Sequence, residues 1–183
     1  MKTIKILILN IAIIAVGNLN LLADIIRIPV SNKSETSFLP ASERSDLYGK
    51  DDGTIICWLE EINNGSLRIQ KIDNTGKAMW AEYGVLADTY LGSGFTSDSD
   101  YPLIFSDKKG GAIVIYRKIF FDREDIYFQK VDINGKCLLA PVCLSSFFGG
   151  YNYSPSAVRT FSNSIAVTWE NFKGGDFNIH AQM

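Results

Sequence analysis

Histidine is nearly absent from this chain: 183 residues contain one, His180. A single imidazole excludes, within one chain, a His-based metal cluster and a Ser-His-Asp triad. Cysteine is scarce as well, with three residues, Cys57, Cys137 and Cys143. An odd count leaves at least one thiol unpaired in an exported chain. A Cys137–Cys143 bridge would need a sharp turn at Pro141, because the extended strand between them spans about 20 Å. The thiols therefore read as buried small hydrophobes, and disulfides are not expected to hold the fold. No excess of positive charge exists: 18 basic residues face 20 acidic ones. Removing residues 1–23 takes away Lys2 and Lys5 and no acid, leaving 16 basic residues and a net charge of −4. That balance argues against a nucleic-acid or anionic-membrane partner. The glycine-rich LGSGF at 91–95 lacks the Lys and the following helix of a phosphate loop.

One long hydrophobic run is present, at the N-terminus. Residues 1–5 (MKTIK) are basic and residues 6–16 (ILILNIAIIAV) are apolar. The run is short, and interrupted by Asn10, against the roughly 20 residues of a membrane span. It reads as a secretory signal peptide over residues 1–23, cleaved after Ala23 or, with Ala15 at the −3 position, after Gly17. No Cys follows closely, so a lipoprotein is not expected. The mature domain, residues 24–183, is expected to have no stable membrane span and to be secreted, periplasmic or at the cell surface.

Within that domain one phrase occurs three times. Residues 53–77 read GTIICWLEEINNGSLRIQKIDNTGK, residues 111–136 GAIVIYRKIFFDREDIYFQKVDINGK, and residues 164–183 SIAVTWENFKGGDFNIHAQM. Trp58, Tyr116 and Trp169 share one position. Gln70, Gln129 and Gln182 share another. Asp73 and Asp132 precede the turn glycines Gly76 and Gly135. Residues 54–59, 112–117 and 165–170 are β-branched and aromatic strands. The loops EINNG, IFFDRED and NFKGGD carry hairpin residues. Residues 67–73 and 126–132 alternate apolar with polar. A further strand follows at 78–87 and 137–146, and one precedes each copy at 38–42, 101–106 and 155–161.

Four antiparallel strands in series predict an all-β fold of propeller-type blades, with units at about 38–87, 101–146 and 155–183. The copies resemble the repeat of exported bacterial β-propeller-like proteins, which runs G-x-I-x-x-W, a polar loop, D-I-Y-x-Q-x-V-D, a turn glycine and often a Trp. Here Gly111, Ile113, Tyr116 (in the Trp place), Asp125, Ile126, Tyr127, Gln129, Val131, Asp132 and Gly135 carry it. Trp80 supplies the final aromatic in the first copy and Leu139 replaces it in the second. Most proteins with this repeat have no assigned activity, so the resemblance implies a fold and transfers no functional residue.

Residues 25–31 (IIRIPVS) resemble a unit's last strand, as in APVCLS at 140–145, and the third copy lacks one. Twelve strands, about three blades' worth, are expected. A homodimer could close as a six-bladed ring, each N-terminal strand completing its partner's last blade. Alternatively the chain is truncated and leaves residues 177–183 as an exposed edge, or three units close alone. Ending inside the repeat favours truncation; complementary ends favour a ring.

No catalytic, cofactor or metal residue is assigned. His180 falls on a strand where the second copy has Tyr127. Trp58, Tyr116 and Trp169 recur within apolar strands and read as packing between units, not as a sugar platform. Asp122, Glu124 and Asp125 beside Arg123, and Asp98 and Asp100, do not match an EF-hand spacing. Glu60, Glu61 and Glu170 follow the tryptophans, yet nothing places them across a cleft as glycosidase carboxylates. Asp73, Gly76 and Trp80 are spaced too widely for a sialidase Asp-box. The expected function is an exported non-catalytic binding or scaffold module whose ligand is an unknown protein or carbohydrate. A secreted polysaccharide-acting enzyme with a channel site, and a fragment without independent activity, are the alternatives. No cofactor is implied.

Overall fold

The computed structural model describes residues 37–47, 50–60, 65–89, 91–92 and 101–183. The signal-peptide assignment (1–23), the candidate closing strand (25–31), Glu61, Asp98 and Asp100 lie outside the described residues. Those described form eleven β-strands and no helix.

The first unit is an antiparallel meander of β1 (Ser37–Leu47), β2 (Lys50–Glu60), β3 (Ser66–Ile72) and β4 (Val85–Thr89), paired in that order. The second is β5 (Leu103–Ser106), β6 (Ala112–Ile119), β7 (Glu124–Val131) and the short β8 (Val142–Cys143). The third is β9 (Tyr151–Arg159), β10 (Ile165–Lys173) and β11 (Asp176–Gln182). A single parallel bridge, Glu124 to Tyr151, joins the edge of β7 to β9 and merges the second and third units into one seven-stranded sheet. Neither sheet closes on itself.

One five-residue turn recurs at one end of the units. The Asp73 carboxylate accepts the amides of Thr75 and Lys77, both at 2.9 Å, while the Gly76 amide donates to the Asp73 carbonyl. Asp132 accepts Asn134 and Lys136 in the same way, at 2.9 Å each. Asp107 accepts Lys109 and Gly111 at 2.8 Å each. This Asx-type capping supplies the amides of a tight turn with an acceptor. Thr160 heads a fourth copy, with Asn163 at φ +67° in the glycine place.

The register explains the repeat. Alternation sends Ile55, Cys57 and Leu59 of β2 to one side, where they bury against Ala112, Val114 and Tyr116 of β6. The next residues of β6 face the other way: Ile115 packs with Ile126 of β7 and with Val167 and Trp169 of β10. The three meanders therefore pack face to face in series. Trp58, Tyr116 and Trp169 all occupy the side of their unit opposite the next unit, each 1 % exposed. Tyr116 and Trp169 thereby reach the preceding unit. Trp58 does not pack between described units; it clusters with Ile56 and Ile72 on the outer side of the first, a correction to the sequence expectation.

The repeated glutamine has a backbone task. Gln70 donates to the Ala81 carbonyl at 2.7 Å, and its amide oxygen accepts the Lys71 and Trp80 amides. Gln129 donates to the Leu139 carbonyl at 3.0 Å and accepts the Lys130 amide at 2.8 Å. Each fastens an irregular segment that leads into the last strand. The expected continuous strands at 78–87 and 137–146 are consequently broken: Ala78 and Cys137 make isolated bridges, and regular pairing resumes only at Val85 and Val142. NFKGGD is less of a loop than its composition suggests. Pairing continues to Lys173–Asp176, leaving the two-residue turn Gly174-Gly175 at φ +65° and +95°, the geometry that matches strand twist in hairpins.

Candidate functional site

Two ends of this stack differ in chemistry. The end just described carries the Asp-type turns. The opposite end, here the loop end, carries the connections 120–123, 144–150 and 174–175. Its first two are neighbours: the Glu124 amide donates to the Gly150 carbonyl, and the Asn152 side chain donates to the Glu124 carbonyl at 2.9 Å.

Most acids near this end are engaged in the seams between units. Between the first and second, the Tyr116 hydroxyl donates to Asp88 at 2.6 Å, and Lys118 donates to the same carboxylate at 3.0 Å and to the Thr89 carbonyl at 3.2 Å. Burial first, and then Asp88, raise the Tyr116 phenol far above its ordinary range, so it stays a donor. Between the second and third, the Asn152 side chain donates to the buried Asp125 at 3.4 Å, a carboxylate that within the second unit also accepts the Ser145 hydroxyl at 2.8 Å and Arg123 at 2.9 Å. Asn152 accepts the Trp169 indole at 3.1 Å and the Asn171 amide at 2.9 Å. Every polar tip of a buried aromatic thus meets an acceptor, as buried Trp and Tyr require. These networks hold the units in register.

The sequence candidates resolve individually. Glu60 is buried, paired with Arg68 at 2.7 Å and accepting the Trp58 indole at 3.1 Å. Glu170 lies on the far side of the third unit, with the second unit between it and Glu60, so the two acids share no cleft. Asp122 stays at the surface beside Arg123, at 3.5 Å. Glu124 pairs with Arg117 at 2.9 Å. His180 is a packing residue, with its ring 3.8 Å from that of Phe148 and 6.0 Å from Trp169. Among the described residues no group of three or more His, Cys, Asp or Glu side chains could hold a metal ion. All three cysteines are free; Cys57 is buried, Cys137 and Cys143 half-buried. Burial raises the Cys57 thiol far above its ordinary value, so it stays protonated and unreactive. No described helix is long and apolar enough to cross a membrane.

What sequence reasoning missed is a pair of phenylalanines at the loop end. Phe121 is 104 % exposed and Phe147 is 94 % exposed. Each belongs to an FF doublet. Phe148 packs edge-on against Trp169 at 5.6 Å, and Phe120 carries the Arg123 guanidinium 4.4 Å above its ring. The other member of each doublet projects outward. The doublets were the available signal, since alternation cannot bury two successive side chains on one face.

No protein-family model matches the chain, and neither does any curated protein. Among solved structures it is similar to an endo-arabinase from Bacteroides thetaiotaomicron, at 13 % identity with a TM-score of 0.48. The match covers 85 % of this chain and spans 60 % of the length of that one. No residue or activity is carried over from it.

Proposed function

We propose that the chain is an exported, non-catalytic binding or scaffold module of β-propeller type, with its ligand surface on the loop end of the second and third units. The observation that supports this reading is the exposure of Phe121 and Phe147 on adjacent connections rooted in rigid strands. Loops positioned by a scaffold are where binding residues concentrate. A bare aromatic ring beside Asp122 and Arg123 offers an apolar face with hydrogen-bonding groups at its rim, suited to a carbohydrate or a protein surface. The acids that a hydrolase would need in a shared cleft are instead engaged apart from one another, Glu60 with Arg68 on the outer side of the first unit, Asp88 with Lys118 at the first seam and Asp125 with Ser145 at the second.

The test is affinity electrophoresis of the mature chain against soluble polysaccharides. At least one should retard it, and Phe121→Ala with Phe147→Ala should abolish the retardation while the thermal midpoint stays put. Retardation unaffected by the double change contradicts the assigned surface. A chain retarded by none of them would exclude the carbohydrate half of the reading.

A further inference from the structure

Each of the two bare phenylalanines stands beside a cation that keeps hydrogen-bond donors to spare. Arg123 lies on the connection that carries Phe121. Its guanidinium sits 4.4 Å above the Phe120 ring, and its Nε donates to Asp125 at 2.9 Å. Asp125 is buried and fixed in turn by the Ser145 hydroxyl. Ring and carboxylate together hold the planar group in one orientation. Its outer edge is open: Nη1 meets only the surface carboxylate of Asp122, at 3.5 Å, and Nη2 donates to no described residue. The Arg123 side chain stays 46 % exposed.

Phe147 has a matching neighbour, supplied by another strand. Gly149 and Gly150, at φ +63° and +74°, lay its connection against the end of β10. The approach is so close that a Cβ on Gly150 would sit 2.5 Å from the Phe172 carbonyl oxygen. Lys173 closes over this segment. Its ammonium donates to the Phe148 carbonyl at 2.9 Å and pairs with no carboxylate among the described residues. The arrangement therefore occurs twice: the inner phenylalanine of each doublet anchors a cation, and the outer one is bare. The two sets are neighbours, because the amide of Glu124, next to Arg123, donates to the Gly150 carbonyl at 3.4 Å.

A guanidinium held in place with its Nη edge open is a carboxylate-binding group, since two parallel donors match the two oxygens. Orientation fixed before binding spares the ligand the cost of ordering it. The exposed contact with Asp122 is worth little and yields to a better-placed anion. Beside each cation, a bare ring offers an apolar face to the C–H face of a sugar. The repetition of ring and cation suits a polymer that itself repeats an acid group and an apolar face. A flat anionic bilayer suits it less, because it would also meet the exposed Asp122 and Asp176. A single polymer strand touches only the groups along its path. With the loop end as the ligand surface, the reading on which this rests, we infer that its ligand is an acidic polysaccharide. Arg123 and Lys173 bind its uronate carboxylates, and Phe121 and Phe147 take its sugar faces.

The experiment measures retardation of the mature chain by polygalacturonate, alginate and hyaluronate, each beside the same polymer with its carboxyl groups reduced to alcohols. At least one acidic form should bind, and its reduced form should bind about tenfold more weakly. Added salt should weaken the acidic form alone. Lys173→Gln removes a surface charge, and Arg123→Lys keeps a cation for Asp125 but loses the Nη edge. Each should weaken binding about five- to tenfold at an unchanged thermal midpoint. If Arg123→Lys lowers that midpoint, Lys173→Gln decides by itself. Retardation by a neutral polymer that depends on Phe121 and Phe147 but not on the cations keeps the surface and overturns the acidic ligand. Retardation by no acidic polymer overturns it as well, and cation-dependent binding to phosphatidylserine vesicles in its place would assign the loop end to a membrane.

Discussion

The indole nitrogen of Trp80 donates to the carbonyl of Ile133, 2.9 Å away and 53 residues later in the chain. This bond ties the last segment of the first unit to the Asp132 turn of the second. The ring lies so close to Gly135 that a Cβ there would sit 2.7 Å from Trp80 Cγ.

Gly135→Ala should therefore be costly twice over. The residue holds φ +78°, unfavourable for an L side chain by about 1–2 kcal/mol, and the added methyl would have to displace a ring. A loss of about 2–4 kcal/mol by chemical unfolding is expected once overpacking is included. Gly174→Ala is the control. At φ +65° its Cβ would meet nothing within 4 Å, so about 1–2 kcal/mol is expected.

Gln129→Leu should cost about 1–2 kcal/mol, because the Leu139 carbonyl and the Lys130 amide lose a partner in a part-buried setting. Hydrogen exchange localises the effect. Amides of residues 138–143 should lose protection before those of β6 do.

Much of this was legible beforehand. The repeat placed Trp58, Tyr116 and Trp169 on equivalent strands and buried them, and it placed the Asp73 and Asp132 turns. The role of the glutamine was not legible, because a polar residue in an alternating strand reads as surface until the carbonyls it satisfies are located. Asp107 was missed for a simpler reason: its turn shares D-x-x-G with the others but joins different strands, outside the repeated phrase. The parallel bridge at Glu124–Tyr151 arises from how units meet, which no single-strand pattern encodes, whereas the FF doublets did signal that one ring of each pair turns outward.

The pH dependence has a sign at each extreme. Burial, and then the neighbouring Cys143, push the Tyr127 phenol up to about 12. Its folded value lies above its unfolded value of about 10, so the stability it brings is fully present below about pH 10 and is lost as pH rises towards 12. Urea midpoints should fall over that window, and Tyr127→Phe should flatten the fall. A fall equally steep in Tyr127→Phe would move the cause elsewhere.

At the acid end, the Thr75 hydroxyl, followed by the Lys77 amide, holds the Asp73 carboxyl below its ordinary value. A depressed carboxyl contributes stability above its unfolded value of about 3.9 and loses it as pH falls through the folded value. Asp73→Asn should therefore weaken the dependence of the urea midpoint between about pH 5 and pH 3. Equal slopes in the two proteins would contradict the assignment.

Trp169→Ala should cost about 3–5 kcal/mol, as truncation of a buried aromatic does, and it leaves Asn152 without the indole donor. A near-neutral result accompanied by loss of ligand binding would make this side chain part of the ligand surface instead.

Binding without catalysis is tested by the release of reducing ends from the polysaccharides that retard the chain. Retardation with no release over prolonged incubation is the expected result. Release by the unchanged chain, abolished by Asp125→Asn or Glu60→Gln in a protein that still folds, would contradict it and make these buried acids catalytic.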